Sequence, residues 1–286
     1  MQLGRQQVAL LLALLAIAGC TTPLRKGKSP LTPAQMSPDS VVLEFFFIRF
    51  PFGDVAVNEK LWEELDEQHF APDLRQRLAR NGFRVGLVAG QMPIELSKLL
   101  ELSGKAAPSG EIEGTKIKDL DAEPRVVRRH LQLRTGQRSE LLASSIYDQL
   151  PVLVCDNGQL CGQTYRQAQG LFAVKSYPQG DGQVRLEMVP ELHHDQPRQH
   201  WVGNQGMMRL EASRPKRVFD DMAISATLPP GAMLVLGSLS SRPGSLGHHF
   251  FTENDGRLEQ KLLVVRLSQT QRDDLFDPAE PLKLEE

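Results

Sequence analysis

Residues 41–50 read VVLEFFFIRF, apolar at eight of ten positions with Glu44 and Arg49 the exceptions. A β-branched and aromatic run of this length, stopped by Pro51, predicts a strand covered on both faces. Outward from it, Asn58 has the chemistry of a helix N-cap. The helix it would open carries Leu61, Trp62 and Leu65 on one face, with Glu63, Glu64, Asp66 and Glu67 in solvent. Pro72 at a first turn opens a second helix with Leu74 and Leu78 inward, and Asn81-Gly82 closes it. Phe83, Val85, Leu87 and Ala89 alternate as a second strand, and Pro93 starts a third helix that runs to Leu102 and ends by Gly104. Residues 40–104 therefore predict a small β-α-α-β-α module. Neither GxGxxG nor GxxxxGK[ST] occurs in it, so no phosphate-cradling loop argues for a nucleotide.

Residues 105–124 form a polar linker containing Pro108, Gly110 and Gly114. From Arg125 the apolar period changes to two. Val127, Leu131 and Leu133 alternate with charges, and Val152–Val154 and Leu160–Tyr165 flank Asp156-Asn157-Gly158, a hairpin signal. The pattern repeats at Val184, Leu186 and Met188, at Met208, Leu210 and Ala212, and at Ile224, Ala226 and Leu228 before the turn Pro229-Pro230-Gly231. Met233–Leu236 and Leu262–Leu267 are nearly continuous apolar runs. Residues 125–270 read as a second, mostly antiparallel β domain, its later strands a simple meander, followed by an acidic tail over 271–286. The expected class is α+β in two domains.

Composition narrows the function classes. The 286 residues carry 33 Lys+Arg against 35 Asp+Glu, a formal net charge of −2, with 41% hydrophobic and 24% charged residues. These values fit a folded chain and exclude collagen, low-complexity disorder and a polytopic membrane protein. Nothing supplies the positive field that a nucleic-acid partner needs.

The first twenty residues are MQLGRQQVALLLALLAIAGC. Arg5 precedes an uninterrupted apolar stretch of 11 residues, Val8 to Ala18. A membrane-spanning helix needs about 20 residues, so the stretch fits the h-region of a signal peptide over 1–19. Ile17-Ala18-Gly19-Cys20 resembles a bacterial lipobox. That resemblance implies cleavage before Cys20 and fatty acyl chains, palmitate among them, on the new N-terminus. The chain would be held at a membrane without crossing it. Thr21, where Asp would signal inner-membrane retention, implies the outer membrane and its periplasmic face. Residues 20–39, with four prolines and no aromatic residue, read as a tether from the lipidated cysteine.

Two further cysteines, Cys155 and Cys161, flank the Asn-Gly turn. An oxidising compartment permits a disulfide between them. A three-residue loop would place them opposite each other, whereas a two-residue turn pairs Cys155 with Leu160 and sends the thiols to opposite faces. His193, His194, Asp195 and His200 cluster in one loop and have the chemistry of a divalent metal site. The meander would put the other pair, His248 and His249, at the opposite end. Hydrolase signatures are poor. There is no GxSxG, Ser213-Arg214-Pro215-Lys216 matches SxxK without a helical turn, and Asp220-Asp221 would point to opposite faces of a strand.

The β domain from Gly170 onward is similar to that of bacterial secretins, the outer-membrane pores of secretion and pilus systems. The similarity runs through Gly170–Val174, Gly182–Glu191, the strand ending Thr227-Leu228, Pro230-Gly231, Met233–Leu239 and Gln260–Val265. Ser240–Gly256 stands where secretins carry a Pro/Gly-rich segment, so the resemblance implies a secretin-like module and not a complete pore. The resulting expectation is a non-enzymatic, lipid-anchored cell-envelope protein, an interaction or assembly module with no cofactor beyond its covalent lipid. The alternative is a periplasmic ligand- or metal-binding module using the 193–200 loop. Cells fed labelled palmitate are expected to label this chain and not its Cys20→Ser variant; equal labelling of both would remove the lipid anchor.

Overall fold

The computed structural model describes residues 40–104, 125–156, 158–179, 182–204, 207–254 and 256–270. The signal peptide, tether, linker and acidic tail expected from the sequence lie outside these residues. The class is α+β, with mostly antiparallel sheets.

The run at 41–50 lies in β1, Ser40–Pro51, the first of the described strands. It lies between β14, Leu258–Thr270, and β3, Val126–Arg134, antiparallel to both. The first sheet continues from β14 to β12, Met233–Ser238, and then β2, Phe83–Val88; the short β13, Thr252–Asn254, also pairs with β14. Both faces of β1 are buried, as its sequence requires. Val41, Leu43, Phe45 and Phe47 join the larger core, which the second sheet lines from its other side. Ile48 and Phe50 join a smaller core built with Leu262 and Val264 under two helices.

Those helices are α1, a π-helical turn Ala56–Lys60 that runs into Leu61–Glu63, and α3, Ile94–Gly104. Leu61, Trp62, Leu65 and Leu96 supply the apolar surface. The residue that satisfies the free N–H groups of α1 is Asp54, not Asn58. Asp54 Oδ1 accepts from Ala56 N at 2.8 Å and Val57 N at 3.3 Å. The Asn58 amide donates instead to Asp54 O and to Gln260 Oε1 on β14. Between them, α2, Pro72–Arg80, starts at its proline as expected and closes at Gly82 with φ +81°.

The second sheet has β6, Gln159–Pro178, and β7, Val184–His193, at its centre. β4, Ser139–Leu142, and β5, Tyr147–Asp156, pair with successive parts of β6. β10, Lys216–Val218, and β11, Ile224–Leu228, pair with β7. β8, Arg198–Asn204, and β9, Met207–Ser213, form a two-stranded ribbon that belongs to neither sheet.

Four expectations are corrected. The two segments are not separate domains: the described residues fall in one compact unit, and β1 and β2 sit in one sheet with β12 and β14 without pairing with each other. A strand buried on both faces needs two ladder partners, and a 65-residue module with one other strand has too few to offer. The meander fails because β12 and β14 leave the sheet that holds β7, β10 and β11. The His-containing loop includes a helix, α4, Leu246–Phe251, capped by Ser245 Oγ accepting from His248 N. Phe250 and Phe251 are fully buried against Phe83 and Phe172. Asp220-Asp221 lie in a 3-10 turn, Asp220–Met222, and not in a strand.

A carboxylate is buried inside the first sheet. Glu44 on β1 is 2% exposed. Its direct cross-strand neighbours are Arg266 on β14 and His130 on β3. Arg128 and Arg266 both bond its carboxylate, His130 Nε2 lies 2.9 Å away, and both guanidinium groups lie over the Phe46 ring. Burial alone would raise the Glu44 pKa; the hydrogen bonds from Arg128 and Arg266 and the charge of Arg266 outweigh it and hold the group at about 2. A depressed carboxylate pKa stabilises the fold above its unfolded value, and that stability is lost as pH falls through the folded value. The thermal midpoint should therefore fall between about pH 4.5 and pH 2. Glu44→Gln is expected to be less stable at neutral pH and to lose much of this slope. An unchanged slope in the variant would show that Glu44 is not the titrating group.

Candidate functional site

Two features share the end of β7. There the chain leaves the second sheet, runs out as the β8–β9 ribbon and returns into β10. Asp195 makes the turn at φ +56°. Asp and Asn tolerate this left-handed region better than other non-glycine residues. Its N–H donates to Arg166 O at 2.8 Å, and Arg214 Nε donates to its carbonyl at 2.9 Å. His194 N donates to Pro215 O at 2.9 Å, which completes the neck.

The ribbon runs in register from Arg198↔Ser213 to Asn204↔Met207 and pairs with no other strand among the described residues. Trp201 lies opposite Leu210, and Met208 is two residues from Leu210, so period two puts all three on one face. They are 63%, 46% and 68% exposed. Ala212 shares that face and is exposed as well. The alternation Met208, Leu210, Ala212 reads in sequence as a strand with a buried side. The structure gives that side no cover within the described residues. The signal that separates the two cases is tertiary: the ribbon joins neither sheet.

The metal candidates are divided among other tasks. His193 Nε2 lies 3.0 Å from Glu191 Oε2. Glu191 is 3% exposed and also bonds Arg138 at 2.6 Å and Lys216 at 3.3 Å. Burial would raise the Glu191 pKa, but the His193 hydrogen bond and the charges of Arg138 and Lys216 lower it on balance. His194 Nδ1 lies 3.0 Å from Asp195 Oδ2, and its ring is tilted against Tyr165 at 5.0 Å. His200 is out on β8, in register with Glu211. The structure thus pairs His193 with Glu191 and His194 with Asp195. Among the described residues no group of three or more His, Cys, Asp or Glu is arranged to hold a metal ion.

Beside the neck lies an open groove of about 640 Å³, lined by Gln163, Thr164, Tyr165, Arg166, His194, Asp195 and Arg217. Only His194 and Asp195 among these were candidates from sequence. The other lining residues come from β6 and β10, which only strand pairing brings alongside.

The other histidine pair does structural work. His249 Nε2 lies 3.0 Å from Pro151 O, and Tyr147 Oη donates to His249 O at 2.9 Å. Burial depresses the pKa of both His248 and His249. Burial also pushes the Tyr147 hydroxyl up to about 12. Ser213 ends β9 and Lys216 starts β10, so the SxxK letters fall on strand ends with no helical turn.

The cysteines are not joined. Asp156 pairs with Gln159, a two-residue turn, so Cys155 pairs with Leu160 and Cys161 with Val154. Both thiols are free, Cys161 exposed and Cys155 half-buried. Asn81 holds the Cys155 backbone from the side: its Nδ2 donates to Cys155 O at 3.1 Å, and Cys155 N donates to its Oδ1 at 2.8 Å.

Among the described residues no helix is long and apolar enough to cross a membrane. Comparison with models of known protein families and with curated proteins found no match. Alkylation of the denatured chain without reductant is expected to label Cys155 and Cys161 as fully as with reductant. Protection of both sites until reduction would contradict the hairpin register.

Proposed function

We propose that this chain is a non-enzymatic, lipid-anchored protein of the cell envelope whose β8–β9 ribbon docks a partner protein in an envelope or secretion assembly. The carrying observation is the apolar face of the ribbon, Trp201, Met208 and Leu210, exposed together. Burying side chains of this size is worth roughly 1.5–3 kcal/mol each, the scale on which a few residues dominate an interface. Trp is also among the residue types enriched at such positions.

Geometry supports a protein partner over the bilayer that would hold the acylated Cys20. Ser40, where the tether enters, pairs with Arg134, and Thr270, where the tail leaves, pairs with Val41. Two residues past Arg134, Gly136 N donates to Ser176 O, and Ser176 pairs with Leu186 on β7. The ribbon departs after His193, seven strand residues further on, a distance of roughly 20 Å. Ser40 and Thr270 therefore lie toward one end of β7 and the ribbon roots at the other. A body tethered at one end presents the ribbon at the other. The secretin-like order of strands in the sequence is in keeping with an assembly partner, and the periplasmic face of the outer membrane follows from the lipobox reading.

The test is photo-crosslinking in cells that make the full chain, with a photoreactive residue at Met208. A discrete adduct with one other protein is expected, lost in Trp201→Ser. Because that face is solvated in the free chain, Trp201→Ser should change stability by no more than about 0.5 kcal/mol. Adducts confined to lipid or to the chain itself, or an adduct that survives Trp201→Ser, would overturn the reading.

A further inference from the structure

We infer that the groove beside the neck is a binding site for a small ligand carrying an oxyanion, a carboxylate or a phosphate. This site is distinct from the ribbon face and does not depend on the ribbon having a partner.

The groove is rich in donors that the protein itself does not saturate. Arg217 on β10 is fixed from several sides. Its Nη1 donates to the Tyr165 hydroxyl at 3.0 Å and to Gln163 Oε1 at 3.1 Å, and the guanidinium lies over the Phe219 ring at 5.1 Å. Two of those contacts are to neutral acceptors, and the one carboxylate, Asp156, stands off at 3.6 Å. The cation is thus positioned more than it is neutralised. Arg166, on β6, is exposed, and among the described residues its guanidinium has no hydrogen-bond or ion-pair partner. A planar guanidinium fork suits a carboxylate or phosphate bidentately, which a single ammonium does not.

His194 adds a second kind of contact. Asp195 engages its Nδ1 and Tyr165 backs its ring, so the ring is oriented and Nε2 is the nitrogen left for a ligand. With Nδ1–H donating to Asp195, Nε2 accepts, as from a hydroxyl adjacent to the oxyanion. The same Asp195 carboxylate is turned toward His194, which lessens its competition for the arginines.

The backbone carries an independent mark. Among the described residues, the non-glycine positions with positive φ are Gln167, at +49°, and Asp195, at +56°. One follows Arg166 directly and the other lines the groove. Strained positions of this kind persist where the surrounding structure over-determines them and concentrate at ligand sites. Here one lies inside β6 and the other just past the end of β7, where Asp195 N bonds Arg166 O and sets Arg166 beside His194.

The experiment uses the full acylated chain in detergent at constant ionic strength, titrated calorimetrically with inorganic phosphate and with citrate. Saturable binding of at least one anion is expected. Arg166→Ala should weaken it at least tenfold, and Arg166→Lys should recover only part of the loss. Both variants should keep the wild-type thermal midpoint, because the Arg166 side chain bonds nothing in the fold. Trp201→Ser should titrate as wild type, which separates this site from the ribbon. A second arm repeats the phosphate titration in detergent micelles doped with phosphatidylglycerol or with phosphatidylcholine. Competition with phosphate in the anionic micelles alone would assign the oxyanion to a lipid headgroup. Absence of saturable binding in every arm, or Arg166→Ala titrating as wild type, would overturn the proposal.

Discussion

The pairing of β1 with β14 is the constraint on which the rest of the structure depends. β1 is a strand without a wet face, so it is stable only inside a sheet that is itself covered on both sides. Its partner on one edge comes from the far end of the chain, with Phe45 opposite Val265 and Phe47 opposite Leu263. Closing so long a loop costs conformational entropy before any side chain is buried. The cost is offset by what the closure assembles: the second sheet packs on one face of β1, and α1 and α3 pack on the other. Gln260 shows the same coupling in polar form, since its Oε1 accepts from Gly53 N and from the Asn58 amide at the start of the helical region. The N-terminal residues therefore have no independent fold to return to, and residues 105–124 join two parts of one body.

This accounts for which parts of the fold were legible. Local chemistry was readable: the strand at 41–50, the helix opened by Pro72, its glycine stop at Gly82 and the hairpin around Asp156 each depend on neighbours in sequence. Partnering was not. Nothing near Val41 says that its neighbour is Thr270, and two-faced burial announces that partners exist without naming them. The cap of α1 was misread because both Asp54 and Asn58 are good caps. The choice turned on Gln260, which takes the Asn58 amide from more than two hundred residues away. Helix α4 was hidden because Gly247-His248-His249 is a poor helical sequence. It exists because Phe250 and Phe251 complete the aromatic cluster around Phe83 and Phe172. Of the candidate site, His194 and Asp195 were visible as chemistry, and Arg166 and Arg217 became neighbours only through strand pairing.

The two buried carboxylates follow one pattern. Glu44 and Glu191 each sit inside a sheet and are each met by two cations and a histidine: Arg128, Arg266 and His130 from the flanking strands for one, Arg138, Lys216 and His193 for the other. Breaking such a set by removing one member costs more than the set contributes against an apolar replacement. Its effect on structure is discrimination. Sliding β1 by one residue against β14 would turn Glu44 to the opposite face, away from its partners and into the larger core, so the charge opposes register slips that a purely apolar strand would tolerate. In a sheet assembled from distant segments, that penalty does work that no turn can do.

A two-stranded ribbon is marginal in water on its own, and one with Trp201, Met208 and Leu210 on an open face gains little from folding alone. Its pose is therefore set where it meets the body. Four bonds meet there, and three involve Asp195: its N–H to Arg166 O, its carbonyl from Arg214, and its carboxylate to His194, whose own N–H reaches Pro215 O. Those contacts tie the ribbon's two strands to each other and to β6. The left-handed turn at Asp195 follows from the same arrangement, because an extended residue there would carry the chain on along β7 and not out of the sheet. One residue thus fixes the direction in which the apolar face is offered and forms one wall of the adjacent groove. The direction of the ribbon and the shape of the groove cannot vary independently.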